Sequence, residues 1–249
     1  MNHKIKLSLL SLSILVLFID GCASLKSRSE KLTGTCAESI ETFSAGNSVS
    51  GRVIEYTKLG SGSNVILMFA SIHGNERAGK PLLNKFQTYL EENCTLLRGK
   101  TVIIIPVVNP DGLAKNKRFN INGVDLNRNF PAGNRENDKH GGSFALSEIE
   151  SYILYRLINT YKPGRVIAFH EALGCIDYDG PAEEFANRLA AKCELPVHKL
   201  GARPGSLGSY VGLELNLPII TIELTKDDSK KSADQLWRDY KDMLIESIN

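Results

Sequence analysis

Two histidines and a glutamate lie just beyond apolar segments of strand length. His73 and Glu76 are three residues apart after the run 65–70 (VILMFA), and His170 directly follows the run 166–169 (VIAF). Two imidazoles and one carboxylate, with a fourth position open, are a known ligand set for catalytic Zn²⁺. A histidine at a strand end is more often a hydrogen-bonded structural residue, so the prediction of one zinc ion rests on the three groups occurring together.

A further carboxylate and a polar loop accompany these groups. Glu223 lies within the apolar run 219–224 (IITIEL), where burial would raise the pKa of its carboxyl group towards the range of a general base. A structural ion pair is the alternative for this buried glutamate. The loop 118–131 (RFNINGVDLNRNFP) is rich in arginine, asparagine and aspartate. It is either a solvated surface loop or part of a site.

The elements that must position these groups form an alternating pattern. Four β-branched, almost unbroken apolar runs are typical of strands buried on both faces: 65–70, 102–108, 166–169 and 219–224. Segments of helix length accompany them: about 76–92, 146–160, 181–193, 207–215 and 231–248. The alternation predicts a single α/β domain whose mixed, largely parallel sheet carries helices on both faces. In such sheets, sites form just beyond the carboxyl ends of the strands.

The first residues are typical of an export signal. Lys4 and Lys6 precede an uncharged run, 7–19, that is shorter than the ~20 residues of a bilayer span. The segment 19–22 (IDGC) resembles a bacterial lipoprotein cleavage site, although its aspartate departs from the usual pattern. This resemblance implies that Cys22 becomes the lipidated first residue of the mature chain. The alternatives are an ordinary signal peptide or a short uncleaved anchor, with Cys22 incidental.

These features divide the chain into three parts. We expect a signal peptide over residues 1–21, a tether rich in Ser, Lys, Glu and Thr over 22–48, and a catalytic domain over 49–249. Lipidation of Cys22 would hold the protein on the periplasmic side of a bacterial membrane.

Composition narrows the class of protein. Of 249 residues, 42% are apolar and 23% are charged, values that disfavour a disordered or coiled-coil chain. Thirty Lys and Arg against 28 Asp and Glu give a net charge of +2, which is not the footprint of a nucleic-acid-binding protein. The oligomeric state is left open.

The cysteines allow more than one arrangement. Besides Cys22, the chain contains Cys36, Cys94, Cys175 and Cys193. In an oxidising compartment these four allow three pairings, one of which joins Cys36 to Cys94 and Cys175 to Cys193. Four buried thiols are the alternative.

At its polar motifs the sequence resembles the zinc carboxypeptidase family over about residues 50–245. The resemblance is carried by H-x-x-E at 73–76, N-P-D-G at 109–112, D-L-N-R-N-F-P at 125–131 and His170. Within that family it is similar to the bacterial murein tripeptide amidases, through 122–132 (NGVDLNRNFPA), 169–176 (FHEALGCI) and 204–209 (PGSLGS).

The resemblance implies roles around the metal. His73, Glu76 and His170 would bind one zinc ion. Asp125 would accept a hydrogen bond from a ligand histidine and so fix its tautomer. Glu223 would be the general base.

Three polar residues of the loop would meet the substrate. The resemblance implies that Asn127 and Arg128 bind its terminal carboxylate and that Arg118 faces the scissile carbonyl, roles for which a guanidinium is suited. Arg118 lies ten residues before Arg128, a short interval for the family. Larger members carry a tyrosine near the substrate, for which Tyr210 is a weak counterpart.

The amidases hydrolyse the γ-D-glutamyl–meso-diaminopimelate bond, so a diaminopimelate pocket is implied. Its ligand bears an amine and a carboxylate on the side chain, and Asp177, Asp179 and Arg203 are candidates by position to bind them. Glu171, next to a ligand on an extended strand, is expected to point away from the site.

We therefore expect an exported zinc-dependent peptidase that acts on peptidoglycan tripeptides. One alternative is a related zinc acylase, which removes an acyl group from an amino acid. Another is a non-catalytic wall-binding lipoprotein. The presence of Glu223 together with all three ligands argues against the last, because a binding protein needs no general base.

Overall fold

The computed structural model describes residues 39–136 and 138–249, and within these ranges six strands form one sheet. The strands are β1 Ile40–Asn47, β2 Val53–Leu59, β3 Asn64–Ala70, β4 Lys100–Ile105, β5 Arg165–Asp179 and β6 Ile219–Thr225. The same part of the chain contains five α-helices: α1 Gly79–Glu92, α2 Pro110–Lys115, α3 Ile149–Tyr161, α4 Glu183–Ala190 and α5 Ala233–Ser247. Short 3₁₀ helices cover Cys94–Leu97, Leu126–Arg128 and Asp228–Lys230, and a π-helix covers Ser209–Glu214. The expected signal peptide, Cys22 and Cys36 lie outside the described residues.

The sheet is mixed and largely parallel, in the order β1-β2-β4-β3-β5-β6. β3 runs parallel to both β4 and β5, and β5 begins parallel to β6. β2 pairs antiparallel with β1 and with β4. The predicted fold class is confirmed.

Helices cover both faces of the sheet because the central strands are apolar on both sides. Met68 of β3 packs in the cluster formed with α1, α4 and α5, whereas its neighbours Leu67 and Phe69 pack on the other face with α3. This alternation is the period-two geometry of a strand buried on both sides. None of the helices in the described ranges is long and apolar enough to cross a membrane.

The predicted tether over residues 22–48 is wrong from Ile40 onwards. Residues 40–47 form β1, the edge strand, and β2 follows it as an antiparallel neighbour. Within β1 only Ala45 is fully buried. An edge strand with one buried side chain leaves little apolar pattern in the sequence, which is why β1 was missed. β2 was not predicted either, although four of its residues are buried.

The N-P-D-G motif begins a helix rather than forming an isolated turn. The side-chain oxygen of Asn109 accepts a hydrogen bond from Gly112 N at 2.8 Å, and Pro110 occupies the first position of α2. Asparagine as N-cap followed by proline is a typical helix start. A β-carbon on Gly74 would lie 2.0 Å from the carbonyl carbon of Gly112, so the glycines of two motifs allow the backbones to meet.

β5 reverses direction part-way along its length. Up to Ala172, which faces Thr225, its partners in β6 rise in number, as in parallel strands. After Gly174 they fall, from Glu223 opposite Cys175 to Ile219 opposite Asp179. The second half of β5 therefore runs back along β6, from Glu223 near its carboxyl end to Ile219 at its start.

Candidate metal centre and active site

The three predicted ligands come together at the carboxyl edge of the sheet. His73 and Glu76 lie in the loop between β3 and α1, and His170 lies in β5. Nδ1 of His73 is 2.7 Å from Oε1 of Glu76, and Nδ1 of His170 is 2.9 Å from Oε2 of the same carboxylate. The two Nδ1 atoms are 3.2 Å apart. All three residues are buried, and they form a cluster that can hold a metal ion.

Asp125 sets the tautomer of His73. Nε2–H of His73 donates to Oδ1 of Asp125 at 3.0 Å, because a carboxylate can only accept. Nδ1 of the neutral ring therefore presents a lone pair to the cluster. Other hydrogen bonds hold Asp125 in place. Its Oδ1 accepts from Asn127 N–H at 3.0 Å, and its Oδ2 accepts from Nε and an Nη of Arg118 at 3.1 and 3.0 Å.

This donor set fits a zinc ion. Two imidazole nitrogens and a carboxylate converge within 3.2 Å, and at least one nitrogen carries a lone pair rather than a hydrogen. Lone pairs and a carboxylate facing each other at such distances repel one another unless protons or a cation lie between them. Zinc coordinates these atom types, typically with four ligands.

Two carboxylates at the site have lowered pKa values. Burial would raise the pKa of Glu76, but its interactions with His170 and His73 lower it to about 2. Burial would also raise the pKa of Asp125, but its hydrogen bond to His73 and the charges of His73, Arg118 and Arg128 keep it well below its usual range. Both carboxylates are therefore ionised at neutral pH.

Glu223, in contrast to Glu76 and Asp125, has a raised pKa. It lies in β6 directly opposite His170, and its Oε2 is buried with no hydrogen-bond partner among the described residues. Burial raises the pKa of Glu223; the charge of His170 opposes this effect and that of Glu76 adds to it. The sequence prediction of a buried glutamate with a raised pKa matches this environment, and the structural ion pair is absent from the described contacts.

A cavity of about 260 Å³ opens beside the cluster. The predicted site residues His73, Glu76, Arg118, Asn127, Arg128, His170 and Glu223 all line it. An Nη of Arg118 lies 3.6 Å from Oε1 of Glu76. Asn127 is held by Leu207 N–H, which donates to its Oδ1 at 2.9 Å, so the loop is fastened to the segment before the π-helix.

The sequence profile described as zinc carboxypeptidase matches residues 26–181, more than half of the chain. The chain belongs to the zinc carboxypeptidase family. The resemblance noted from its motifs is thereby confirmed, and as a member of this family the chain is a hydrolase.

Relatives within the zinc carboxypeptidase family include murein peptide amidases. Murein peptide amidase A of Escherichia coli K12 is 34% identical over 192 residues, which cover 68% of this chain and 74% of the relative. The Vibrio campbellii protein of the same name is 32% identical over 206 residues, covering 74% and 79%. The crystal structure of murein-tripeptide amidase MpaA from E. coli O157 superposes with a TM-score of 0.65 and 29% identity, covering 83% of this chain and 91% of that one.

Glu171 and Tyr210 do not lie where the sequence predicted. Glu171 was expected to point away, but it lines the cavity and accepts a hydrogen bond from Ala78 N–H. It lies where β5 begins to reverse, so strict alternation no longer applies. Tyr210 is absent from the lining; it is buried against Phe130 and Tyr155, and its hydroxyl accepts from Asn159 Nδ2.

The structure also decides among the cysteine arrangements. Cys94 is disulfide-bonded, while Cys175 and Cys193 are free. The pairing of Cys175 with Cys193 is therefore not formed. Cys175 is buried within β5, and the thiol of Cys193 contacts the carbonyl of Leu189 at the end of α4.

Sequence reasoning missed the residues that hold the polar loop in place. Oε2 of Glu148 accepts from Asn120 Nδ2 at 2.7 Å and from Asn122 Nδ2 at 2.8 Å, and its Oε1 accepts from the Ser147 hydroxyl at 2.8 Å. Glu148 lies immediately before α3. The only signal for this role was the presence of several asparagines in the loop, of which Asn120 is buried.

Proposed function

We propose that the chain is an exported zinc-dependent peptidase that hydrolyses the γ-D-glutamyl–meso-diaminopimelate bond of peptidoglycan tripeptides. The observation that carries the proposal is Glu223, whose Oε2 is buried without a hydrogen-bond partner among the described residues and which lines the same cavity as the metal-ligand cluster. A binding protein or a purely structural metal site has no use for such a group. The names of the amidase relatives supply the substrate class.

The metal ligands and Glu223 have separate roles in the proposed reaction. A Zn²⁺ ion held by His73, Glu76 and His170 would lower the pKa of a water molecule to about 7 and polarise the scissile carbonyl. Oε2 of Glu223 accepts the proton of the attacking water and then delivers it to the leaving nitrogen of diaminopimelate. Its raised pKa suits both transfers, because a stronger base takes the proton more readily and its conjugate acid remains able to give it up.

The loop residues orient the substrate. Arg128 lines the cavity and provides a planar guanidinium for the carboxylate on the carbon that bears the leaving nitrogen. Asn127, held by Leu207 N–H, lies beside it. Arg118 places positive charge where negative charge develops on the carbonyl oxygen, while its bonds to Asp125 keep it in position.

Export and membrane attachment complete the proposal. The charged start, the short apolar run and the IDGC segment support secretion followed by lipidation of Cys22. An exported enzyme of this type would shorten stem peptides on or near the cell wall itself.

The test is to incubate the purified protein with L-Ala-γ-D-Glu-meso-diaminopimelate and with intact muropeptides. We expect mass spectrometry to show release of diaminopimelate, loss of this activity with a chelator, and its return on addition of Zn²⁺. Hydrolysis of N-acyl amino acids without release of diaminopimelate would establish the acylase alternative. Binding to wall fragments without any hydrolysis would contradict an enzymatic function.

A further inference from the structure

We propose that Asp179, assisted by Asp177, binds the ammonium group at the far end of the diamino acid, and that Arg203 binds the carboxylate on the same carbon. These residues would determine specificity within the same cavity. The inference rests on the proposed function and identifies the side chains that recognise the part of the substrate remote from the scissile bond.

The reversal of β5 brings the two aspartates to the cavity. Asp177 lies opposite Thr221 of β6, and Asp179 lies opposite Ile219. Two residues apart on one strand, they face the same side, and both line the cavity that also contains Glu223.

The spacing along β6 matches the length of the substrate. Glu223 pairs with Cys175, so Asp177 and Asp179 lie two and four residues further along, or about 7 and 13 Å at the usual strand rise. Seven bonds separate the scissile carbonyl carbon of the substrate from its far ammonium nitrogen, a span of about 9 Å when extended. The ammonium therefore reaches the aspartates while Glu223 faces the scissile bond.

Asp179 has no counter-ion of its own. It is 6% exposed and forms no salt bridge with any described residue; its hydrogen bond comes from Ala202 N–H. Burial, with the charge of Asp177, raises the pKa of Asp179 to about 6, and Lys199 only partly offsets this. A buried carboxylate without a counter-ion is unfavourable, and a substrate ammonium would neutralise it.

Two glycines make room for this side chain. A β-carbon on Gly208 would lie 2.4 Å from Oδ2 of Asp179, and one on Gly212 would lie 2.5 Å from its Cβ. No other residue type fits at either position without displacement. The close approach fixes Asp179 on one side while the cavity remains open on the other.

Arg203 offers an unpaired positive charge at the same cavity. Its backbone carbonyl accepts from Ser206 N–H at 3.0 Å and from the Ser209 hydroxyl at 2.7 Å. Its exposed guanidinium, in contrast, makes no ion pair or hydrogen bond with the residues that the structure describes. Arg128 lines the cavity too, so each of the two carboxylates of diaminopimelate has a guanidinium available.

Three substrates separate the two contacts. The zinc-loaded protein would be assayed on γ-D-glutamyl peptides ending in meso-diaminopimelate, in L-2-aminopimelate, which lacks the far amine, and in L-lysine, which lacks the far carboxylate. For the wild type we expect kcat/KM to be ~10- to 100-fold higher with diaminopimelate than with either analogue, the range for one charged hydrogen bond.

Each variant should remove one preference and leave the other. Asp179→Asn should abolish the preference for diaminopimelate over aminopimelate but retain that over lysine, and Arg203→Gln should do the reverse. Asp227→Asn and Arg98→Gln, which are exposed and do not line the cavity, are the controls. Arg203 is exposed, so its substitution leaves the fold intact even if Asp179→Asn does not fold.

Calorimetric binding of free meso-diaminopimelate separates this inference from the proposed function. Affinity at least 10-fold weaker in Asp179→Asn or in Arg203→Gln than in the wild type would support the inference, even if the wild type cleaved no tripeptide. Equal affinities in wild type and both variants, no binding at all, or an equal loss of kcat/KM on all three substrates would overturn it. Failure of the wild type to release diaminopimelate would overturn only the bond assigned to the enzyme.

Discussion

At the level of single residues, two carboxylates near the metal cluster have opposite pKa shifts. Hydrogen bonds and neighbouring positive charges overcome burial at Asp125 and lower its pKa, whereas burial dominates at Glu223 and raises its pKa. Asp125 therefore stays charged and orients His73. Glu223 is the carboxylate suited to accept and return a proton.

Glu223→Gln should reduce kcat by ~10²- to 10⁴-fold, the range for loss of a general base. The variant should still bind one equivalent of zinc, because Glu223 is not among the three clustered ligands. Steady-state kinetics and metal analysis check the two outcomes, with Glu92→Gln on α1 as the control. Undiminished turnover in Glu223→Gln would refute the mechanism.

Asp179 should make stability depend on pH. Its pKa of about 6 in the folded protein exceeds the ~3.9 of an unfolded aspartate, so the folded state binds the proton more tightly. Below pH ~4 Asp179 is protonated in both the folded and the unfolded state and has little effect on the free energy of unfolding. As the pH rises from ~4 to ~6, Asp179 increasingly destabilises the folded state. Asp179→Asn should therefore raise the free energy of unfolding at pH 8 by on the order of 1–2 kcal/mol, and by much less at pH 4. Denaturant titrations at the two pH values test this, and an equal change at both would contradict it.

At the level of elements, the site depends on a loop fixed mainly by side chains. Apart from one 3₁₀ turn, the segment that carries Arg118, Asp125 and Arg128 has no regular structure. Glu148 and the asparagines that donate to it replace backbone pairing in this segment. The positions of the substrate-binding groups are therefore coupled to the start of α3.

Glu148→Ala should impair both folding and catalysis. It removes the acceptor of three side-chain hydrogen bonds and leaves the buried amide of Asn120 without its closest acceptor, so we expect a loss of about 1–3 kcal/mol in the free energy of unfolding. We expect kcat/KM to fall ~10-fold while zinc remains bound, because the loop rather than the ligands is released. Denaturant titration, kinetics and metal analysis measure these effects. Glu148→Gln, which keeps the shape and part of the acceptor capacity, should lie between; an alanine variant as stable and active as wild type would exclude the role.

At the level of the whole molecule, the candidate metal ligands and Glu223 lie at one edge of the sheet. His73 and Glu76 follow β3, His170 lies in β5, and Glu223 lies in β6, three neighbouring strands that are parallel at this point. Their carboxyl ends meet at the same edge.

Cys22→Ser should release the protein from membranes without changing its catalytic rate. Loss of the thiol removes the acceptor of the lipid, and the apolar run 7–19 is shorter than the ~20 residues that a bilayer span requires. Cell fractionation and detergent-phase partitioning measure the distribution, and Cys193→Ser provides a cysteine control remote from the N-terminus. Unchanged membrane association of Cys22→Ser would contradict lipidation.

The sequence was enough to predict the central strands and to select His73, Glu76, His170 and Glu223, which the structure brings to one cavity. Their signals are local: an apolar run reports burial, and a polar group directly after it reports the end of a strand. The place of Glu171 in the cavity followed from the tertiary structure alone, because it depends on where β5 reverses; for Asp177 and Asp179 the sequence offered only their position near His170. The edge strand β1, the fastening of the loop by Glu148 and the free state of Cys175 likewise depend on contacts between distant segments. His73 and His170 are in contact although they are 97 positions apart in the sequence, and no local sequence pattern predicts such a contact.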